Sequence, residues 1–247
     1  MDTDHFSAVA GHYARSRPTY PPELFDWIAQ ACTRRDLAWD VGAGNGQASV
    51  GLAARFARVL ATDLSEGQIA HAVPRERIEY RVAPADRSGL TEASADAVTV
   101  AQALHWFDLD AFYTEVRRVL KPGGLIVAWT YGVLHVEGES VEERVSHFYH
   151  RVVGPYWPAE RRHVENGYAE LPFPFAALAG PAFAIRLSWT LEDLLGYCRS
   201  WSATSRCQKA TGSDPVIALE AELAPVWGER GRSRRVTWPI AMRAGIR

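Results

Sequence analysis

Residues 38–47 read AWDVGAGNGQ, a short apolar run that leads into an aspartate and three glycines at alternate positions. A glycine-rich turn between a strand and a helix lets the backbone approach a nucleotide closely, and several cofactor-binding folds use one. The dehydrogenase form of this turn needs a glycine three positions after the second one, where this chain has Gln47. The carboxylate of Asp40 would repel a pyrophosphate and attract a cationic amine. The stretch therefore favours a nucleotide cofactor that carries an ammonium group.

Strand-like and helix-like patterns alternate around this loop. Short runs rich in β-branched and aromatic residues predict strands at residues 36–41, 58–63, 77–82, 95–102 and 124–131. Helical patterns lie between them, at residues 47–56, 65–73 and 108–120. This alternation predicts an α/β fold with a doubly wound, mostly parallel sheet and helices on both faces.

The alternation ends near residue 132. Beyond it the sequence predicts helices at 139–154, 190–201 and 214–228, strands at 182–189 and 234–243, and an irregular stretch at 156–175. Ser65 and Thr190 are expected to be helix N-caps because a hydroxyl can accept a hydrogen bond from the first turn.

Composition limits the classes of partner. The chain has 247 residues, 47% of them hydrophobic, with a formal charge of -2, so it can bury a core and has no general basic field for nucleic acid or an anionic membrane. No run approaches the roughly 18 apolar residues of a membrane span, and MDTDHFSAVA lacks a signal-peptide core. The three cysteines lack metal or redox spacing, so no metal site is predicted. We expect a soluble, cytoplasmic protein.

Further motifs carry a family resemblance. ATDLS (61–65), APADRSGL (83–90), SADAVTVAQALHWFD (94–108) and EVRRVLKPGG (115–124) follow DVGAGNG in order. Together they resemble the class I S-adenosylmethionine-dependent methyltransferases, in particular those with a type 11 methyltransferase domain. The stretch FSAVAGHYARSRPTYPPEL (6–24) is similar to small-molecule methyltransferases typified by trans-aconitate methyltransferase.

The resemblance implies the architecture in more detail. We expect a Rossmann-like, seven-stranded sheet with an antiparallel last strand and a small helical cap. Residues 1–35 would form an N-terminal helical cap segment, 36–132 the cofactor-binding core, and 133–247 a C-terminal part that completes the sheet and covers the acceptor pocket. The whole would be one structural domain with a cap.

The resemblance also implies a cofactor, S-adenosylmethionine, with S-adenosylhomocysteine as its product. The glycines would approach its methionyl part, Asp40 would accept from its amino group, and Asp63 would accept from both ribose hydroxyls. Leu64 would pack on the adenine. The implied cofactor-binding residues are Asp40, Gly42, Ala43, Gly44, Gly46, Asp63, Leu64, Ala85, Asp86, Gln102 and Ala103.

Two side chains are candidates for chemistry. Arg17 could pair with a carboxylate of cofactor or substrate. His105 could contact the acceptor, or could serve as a general base if the acceptor is a hydroxyl, an amine or a carbon acid. The expected substrate pocket consists of Tyr13, Tyr20, His105, Trp106, Trp129 and Tyr131. Any one of these aromatic residues could instead belong to the core.

The predicted function is methyl transfer to a small-molecule acceptor by a monomer or homodimer, with O-methylation of a carboxylate favoured. Methylation of a carbon or nitrogen atom is the alternative within the family. A catalytically inactive, cofactor-binding regulatory protein is an alternative of another class. An NAD-dependent oxidoreductase is disfavoured by Gln47 and Asp40, and by the lack of a Tyr-x-x-x-Lys pair.

Overall fold

The computed structural model describes residues 18–229 and 231–247 of the chain. The chain divides into two compact units. The sheet unit consists of Tyr20–Gly132, Arg162–Ala184 and Pro239–Arg247. The helical unit contains Val133–Arg161 and Ile185–Trp238, with residues 18 and 19. Tyr13 and Arg17, two of the candidate site residues, lie outside the described residues.

The strands confirm the α/β class. In the described residues they are β1 (Leu37–Val41), β2 (Arg58–Asp63), β3 (Ile78–Val82), β4 (Ala95–Ala101), β5 (Leu120–Tyr131), β6 (His135–Val136), β7 (Ala176–Ala177), β8 (Phe183–Trp189) and β9 (Arg234–Ile246). The first five pair in parallel in the order β3-β2-β1-β4-β5. Strand β9 is antiparallel to β5, with Leu125 opposite Ile246. One hydrogen-bonded path of seven strands runs β3-β2-β1-β4-β5-β9-β6, and β7 and β8 also pair with β9.

The helices complete both units. They are α1 (Pro22–Ala31), α2 (Gln47–Ala53), α3 (Glu66–Ala70), α4 (Leu109–Val119), α5 (Glu139–His147), α6 (Arg161–Glu165), α7 (Leu191–Arg199), α8 (Ser202–Thr211) and α9 (Pro215–Trp227). None of the helices in the described ranges has both the length and the apolar character needed to cross a bilayer.

The core of the sheet unit explains why these segments fold as they do. All five residues of β1 are buried, as are all but the last residue of β4, which suits parallel strands covered on both faces. Helix α4 begins after Asp108, whose carboxylate accepts from the Ala111 N–H, and buries an apolar face that includes Phe112 and Val116. Because β1 to β5 are parallel, their carboxyl ends lie at the same edge of the sheet, and the loops there carry many of the candidate residues.

Some element boundaries differ from those predicted. Strand β5 begins at Leu120 and not at residue 124, because Leu120 pairs with Ala95 before the register shifts to Ala97 and Leu125. Helix α3 covers only five residues of the predicted 65–73, and none of them is buried. Without tertiary packing, a short helix gains too little to extend. Ser65 caps this helix as expected, by accepting from the Gln68 N–H.

In the helical unit, the sequence missed one helix. Thr190 and Asp193 form the capping box of α7, which confirms the predicted cap. Helix α8 follows at once with the sequence SATSRCQKAT, in which half of the residues are strong helix formers but no stripe of large apolar residues marks a buried face. Its buried face includes only the small side chains Ala203, Thr204 and Cys207, which an apolar periodicity does not reveal. The stretch 156–175, expected to be irregular, also contains the five-residue helix α6.

Candidate functional site

The glycine loop joins β1 to α2 and depends on a left-handed backbone. Gly42, Gly44 and Gly46 have φ angles of 65°, 57° and 88°, which glycine adopts far more readily than other residues. A Cβ on Gly42 would lie 2.5 Å from the Cβ of Ala103 and 3.1 Å from Cζ of Phe107. The loop therefore packs directly against the segment that follows β4.

The other two glycines have different surroundings. A Cβ on Gly46 would collide with the ring of Tyr80. This contact within the protein explains the glycine at position 46 without any ligand. A Cβ on Gly44 would meet only Oε1 of Gln68, at 3.8 Å. Gly44 is thus the glycine whose surroundings leave most room for a ligand.

Asp63 ties the loop to the end of β2. Its Oδ2 accepts from the Gly44 N–H at 2.8 Å, and its Oδ1 accepts from the Ser65 N–H at 2.8 Å. Each carboxylate oxygen retains a further lone pair for a ligand hydroxyl. The carboxylate is therefore held rigidly in an orientation set by two backbone donors.

A cavity of about 440 Å³ opens beside this carboxylate, within the usual size range of small-molecule sites. Its lining residues are Gly42, Asp63, Leu64, Ala83, Pro84, Ala85, Asp86, Ala103, Trp106, Phe107 and Asp108. Leu64 is 74% exposed and Trp106 is 62% exposed, so both present large apolar surfaces to solvent at this cavity. Such surfaces suit a flat, apolar ring better than a charged group.

The cavity brings together seven residues that the sequence proposed. Six are cofactor candidates, and Trp106 was expected in the substrate pocket. The sequence prediction missed Ala83, Pro84, Phe107 and Asp108 as lining residues. Ala83 and Pro84 belong to the same motif as Ala85 and Asp86, and that motif was a usable signal.

Asp40 lies outside the cavity lining, fully buried in β1. Its Oδ2 accepts from the Ser49 hydroxyl at 2.5 Å and its Oδ1 accepts from the Thr99 hydroxyl at 2.9 Å. Burial raises the pKa of Asp40 to about 6, and the two hydroxyl donors oppose that rise. A cation close by would favour the ionised form and recover part of the desolvation cost.

The segment after β4 carries a second group of candidates. Gln102 has a φ of 59°, and its side chain accepts from the Thr130 hydroxyl at 2.5 Å and donates to the Tyr131 carbonyl at 3.1 Å. His105 follows in a short 3-10 helix, Leu104–Trp106. Its Nδ1 lies 3.2 Å from the Tyr168 hydroxyl. Gln102 and His105 are therefore both held by residues distant in sequence.

Tyr20, Trp129 and Tyr131 form one aromatic cluster in the sheet unit. The Tyr20 ring is edge-on to Trp129 at 5.4 Å and to Tyr131 at 6.1 Å, between ring centroids. Burial raises the pKa of the Tyr20 hydroxyl well above its ordinary value. None of the three lines the cavity beside Asp63, so this cluster is distinct from that cavity.

Comparisons with known proteins identify the family. A model described as "Methyltransferase domain" matches residues 39–128. A protein of Dictyostelium discoideum named as a methyltransferase is 36% identical over 223 residues, which are 89% of this chain and 85% of that protein. The chain belongs to the class I S-adenosylmethionine-dependent methyltransferases.

Other comparisons agree with this methyltransferase assignment. A structure named as a type II methyltransferase from Anaeromyxobacter dehalogenans shares 46% identity, with a TM-score of 0.89, over 93% of this chain and 97% of that one. A methyltransferase of Mycobacterium tuberculosis, described as uncharacterized, is 34% identical over 65% of this chain and 69% of its own length. Membership of this family excludes the alternative that the protein is an NAD-dependent oxidoreductase.

The residues present fit the cofactor of this family, S-adenosylmethionine. The loop at Gly44 is open enough for close backbone approach, and the fixed carboxylate of Asp63 suits a ribose diol. The apolar cavity suits an adenine ring. Asp40 is fully buried and lies outside the lining of this cavity, so its expected contact with the cationic amino-acid end stays a prediction.

Proposed function

We propose that this methyltransferase acts on a small carboxylic acid and methylates one of its carboxylate oxygens. The observation that carries the proposal is the hydrogen bond between His105 Nδ1 and the Tyr168 hydroxyl. This contact helps to orient the imidazole, and an oriented imidazole can offer a hydrogen bond to an acceptor carboxylate.

S-adenosylmethionine, when bound, supplies a methyl group that its sulfonium sulfur already activates. The protein must therefore hold the acceptor in line and exclude water. An acceptor carboxylate is ionised at neutral pH and needs no proton removed. It needs hydrogen-bond donors, and His105 is a candidate: it is not among the residues that line the cavity, but Ala103 and Trp106 of the same segment are. The resemblance of residues 6–24 to trans-aconitate methyltransferase supports the same acceptor class, with Arg17 as a candidate clamp.

The experiment is a methyl-incorporation assay across small carboxylic acids, amines and phenols, with the wild type and the variants Arg17→Ala and His105→Ala. We expect a carboxylic acid to be methylated, and both variants to lower kcat/KM for it. Matched controls are Arg34→Ala, an exposed arginine paired with Asp36, and His71→Ala, an exposed histidine that contacts the Gly67 carbonyl. Both control variants should retain wild-type activity.

Two outcomes would contradict the proposed activity, and a third would contradict only the residue roles. Methylation of amines or carbon acids alone, with a rate that falls as a histidine becomes protonated, would support the alternative in which His105 is a base. Cofactor binding without turnover on any acceptor would support a regulatory protein. A carboxylate methylated equally well by both variants would remove the roles given to Arg17 and His105.

Location and assembly are also proposals. We propose a cytoplasmic protein that works as a monomer or homodimer on a small-molecule acceptor. Light scattering coupled to size exclusion tests the assembly, and a larger oligomer would contradict it.

A further inference from the structure

One wall of the cavity beside Asp63 is the turn that follows β3, residues 83–86, called here the β3 turn. Its four residues all line the cavity: Ala83, Pro84, Ala85 and Asp86. At its start, the Ala83 N–H donates to the Asp63 carbonyl at 3.0 Å, which ties the turn to the end of β2. The position of Asp86 therefore depends on what holds the chain just beyond it.

Ser88, two residues beyond Asp86, is held by a side chain of helix α4. The Ser88 N–H and the Ser88 hydroxyl both donate to Oε1 of Glu115, at 2.9 Å and 2.6 Å. The same hydroxyl accepts from the Leu90 N–H at 3.0 Å. Ser88 is 1% exposed and Glu115 is 6% exposed, so solvent hardly competes for these hydrogen bonds. The β3 turn is thus fastened to a helical residue that follows Ser88 by 27 positions.

The carboxylate of Glu115 is held in turn by Arg118. Nε of Arg118 donates to Oε2 of Glu115 at 2.7 Å, and Nη2 donates to Oε1 at 2.8 Å. Nη2 also donates to the Leu90 carbonyl at 2.8 Å. A forked arginine–carboxylate pair fixes orientation as well as distance. Burial by itself would raise the pKa of Glu115, but the hydrogen bonds from Arg118 and Ser88 outweigh it, and the pKa is lowered.

Another buried carboxylate of the sheet unit has the same kinds of partner in a different place. Asp96 accepts from the Asp36 N–H at 2.7 Å and from the Leu37 N–H at 2.9 Å, and Lys121 donates to it at 2.6 Å. Asp96 lies at the amino end of β4 and is not among the residues that line the cavity. It stabilises the sheet without bordering the cavity, so it is a suitable control for Glu115.

We propose that Glu115 is a positioning residue for recognition of the adenine ring of S-adenosylmethionine. Asp86 gives the β3 turn a carboxylate, which can accept a hydrogen bond from the 6-amino group of adenine. Glu115 is not among the lining residues, so it acts on the base through Ser88 and the β3 turn. This inference concerns the methyl donor and goes beyond the proposed function, which concerns the acceptor.

The test is calorimetric titration of the full chain with S-adenosylhomocysteine and with an analogue in which hydrogen replaces the 6-amino group. The ratio of the two dissociation constants measures recognition of that group. We expect the wild type to prefer S-adenosylhomocysteine by about tenfold, as for one hydrogen bond to a charged acceptor. In Glu115→Gln the preference should fall to about threefold or less, because Asp86 is no longer held at the base. Ser88→Ala, which removes one of the two donors, should lower it by a smaller factor.

The matched control is Asp96→Asn, which weakens a comparable buried ionic network away from the cavity. Urea unfolding measures how much stability each variant loses. We expect Asp96→Asn to lose stability and to keep the wild-type preference for the 6-amino group. That result would separate a positioning role of Glu115 from a general loss of stability.

Three results would overturn the proposal. They are a wild type without preference for the 6-amino group, a folded Glu115→Gln variant with the wild-type preference, and an Asp96→Asn variant that loses the preference to the same extent. If Glu115→Gln does not fold, an unchanged preference in Ser88→Ala overturns the proposal, and a lowered preference supports it.

The titration contains no acceptor, so the two proposals fail separately. An enzyme that methylates no carboxylic acid would contradict the proposed function and leave the role of Glu115 intact. An unchanged preference in Glu115→Gln would contradict the positioning role and leave the acceptor class untouched.

Discussion

The Asp63 carboxylate at the end of β2 accepts a hydrogen bond from the Gly44 N–H, 2.8 Å away in the loop after β1. It also accepts from the Ser65 N–H, so one side chain orders the loop and faces the cavity. Its expected role in holding the ribose and its role in the fold are therefore coupled.

The first prediction follows from this coupling. Asp63→Ala leaves two backbone donors without their acceptor, so we expect the free energy of unfolding to fall by about 1–3 kcal/mol. We also expect S-adenosylhomocysteine to bind at least about tenfold more weakly, because a charge-assisted hydrogen bond is worth about that much. Calorimetric titration and urea unfolding measure both. The control is Asp36→Ala, an exposed carboxylate outside the cavity. Unchanged affinity in Asp63→Ala would remove Asp63 from the ribose site.

The second prediction separates two glycines of the loop. Gly42→Ala should cost about 2 kcal/mol of stability or more, because the left-handed backbone and the contact with Ala103 both penalise a Cβ. Gly44→Ala should cost about 1 kcal/mol, because only the backbone conformation penalises it. Gly44→Ala should nevertheless weaken S-adenosylhomocysteine binding by about tenfold or more, since it fills the open side of the loop. Thermal unfolding and titration distinguish the two effects. Wild-type binding by Gly44→Ala would show that the ligand does not approach there.

The third prediction concerns pH and Asp40. Burial raises the pKa of Asp40 to about 6 from an ordinary 3.8. Between pH 3.8 and about 6, Asp40 is ionised in the unfolded chain but still protonated in the folded protein. The contribution of Asp40 to the free energy of unfolding therefore falls as pH rises. Above pH 6 the penalty is constant, about 3 kcal/mol. Asp40→Asn should remove this fall, as urea unfolding from about pH 4 to about pH 7 would show.

A control and a binding measurement complete the Asp40 test. Asp36 is an exposed carboxylate whose pKa the hydrogen bond from Lys121 lowers. The wild-type protein therefore gains stability from Asp36 as pH rises, and Asp36→Asn should remove that gain. This pH dependence has the opposite sign to that of Asp40. Binding of S-adenosylhomocysteine to the wild type should weaken as pH falls through about 6, because a protonated Asp40 no longer attracts an ammonium group. Affinity that does not change across this range would contradict the expected contact.

The fourth prediction concerns Trp106, which is 62% exposed beside the cavity. S-adenosylhomocysteine should cover the indole and shift its fluorescence to shorter wavelength. Trp106→Phe should abolish that shift, while Trp27→Phe, a change on α1 outside the cavity, should keep it. Trp106→Ala should weaken binding by about tenfold through lost apolar contact. A ligand-induced shift that survives in Trp106→Phe would place Trp106 away from the cofactor, in agreement with its original assignment to the acceptor pocket.

Local pattern was sufficient for the parallel core. The runs that became β1 and β4 are buried along nearly their whole length, and that burial is visible in the sequence as apolar runs interrupted only by Asp40 in β1 and by Asp96 and Thr99 in β4. Helix α8 was not predicted, because its buried face consists of small residues such as Ala203 and Cys207, which give no apolar periodicity in the sequence. Strand β5 begins early for a similar reason, since the pairing of Leu120 with Ala95 involves a partner distant in sequence.

By itself, the sequence determined the fold class, the glycine loop, the aspartate at the end of β2 and the cofactor family, because each depends on neighbours along the chain. Only the tertiary structure decided that Ser49 and Thr99 hold Asp40, that Trp106 lines the cavity beside Asp63, and that Tyr168 reaches His105. These contacts join segments up to 63 residues apart, and nothing in the local pattern of either segment specifies its partner. The sequence therefore identified the methyl donor. It did not show that Tyr168 contacts His105, the residue proposed to bind the methyl acceptor.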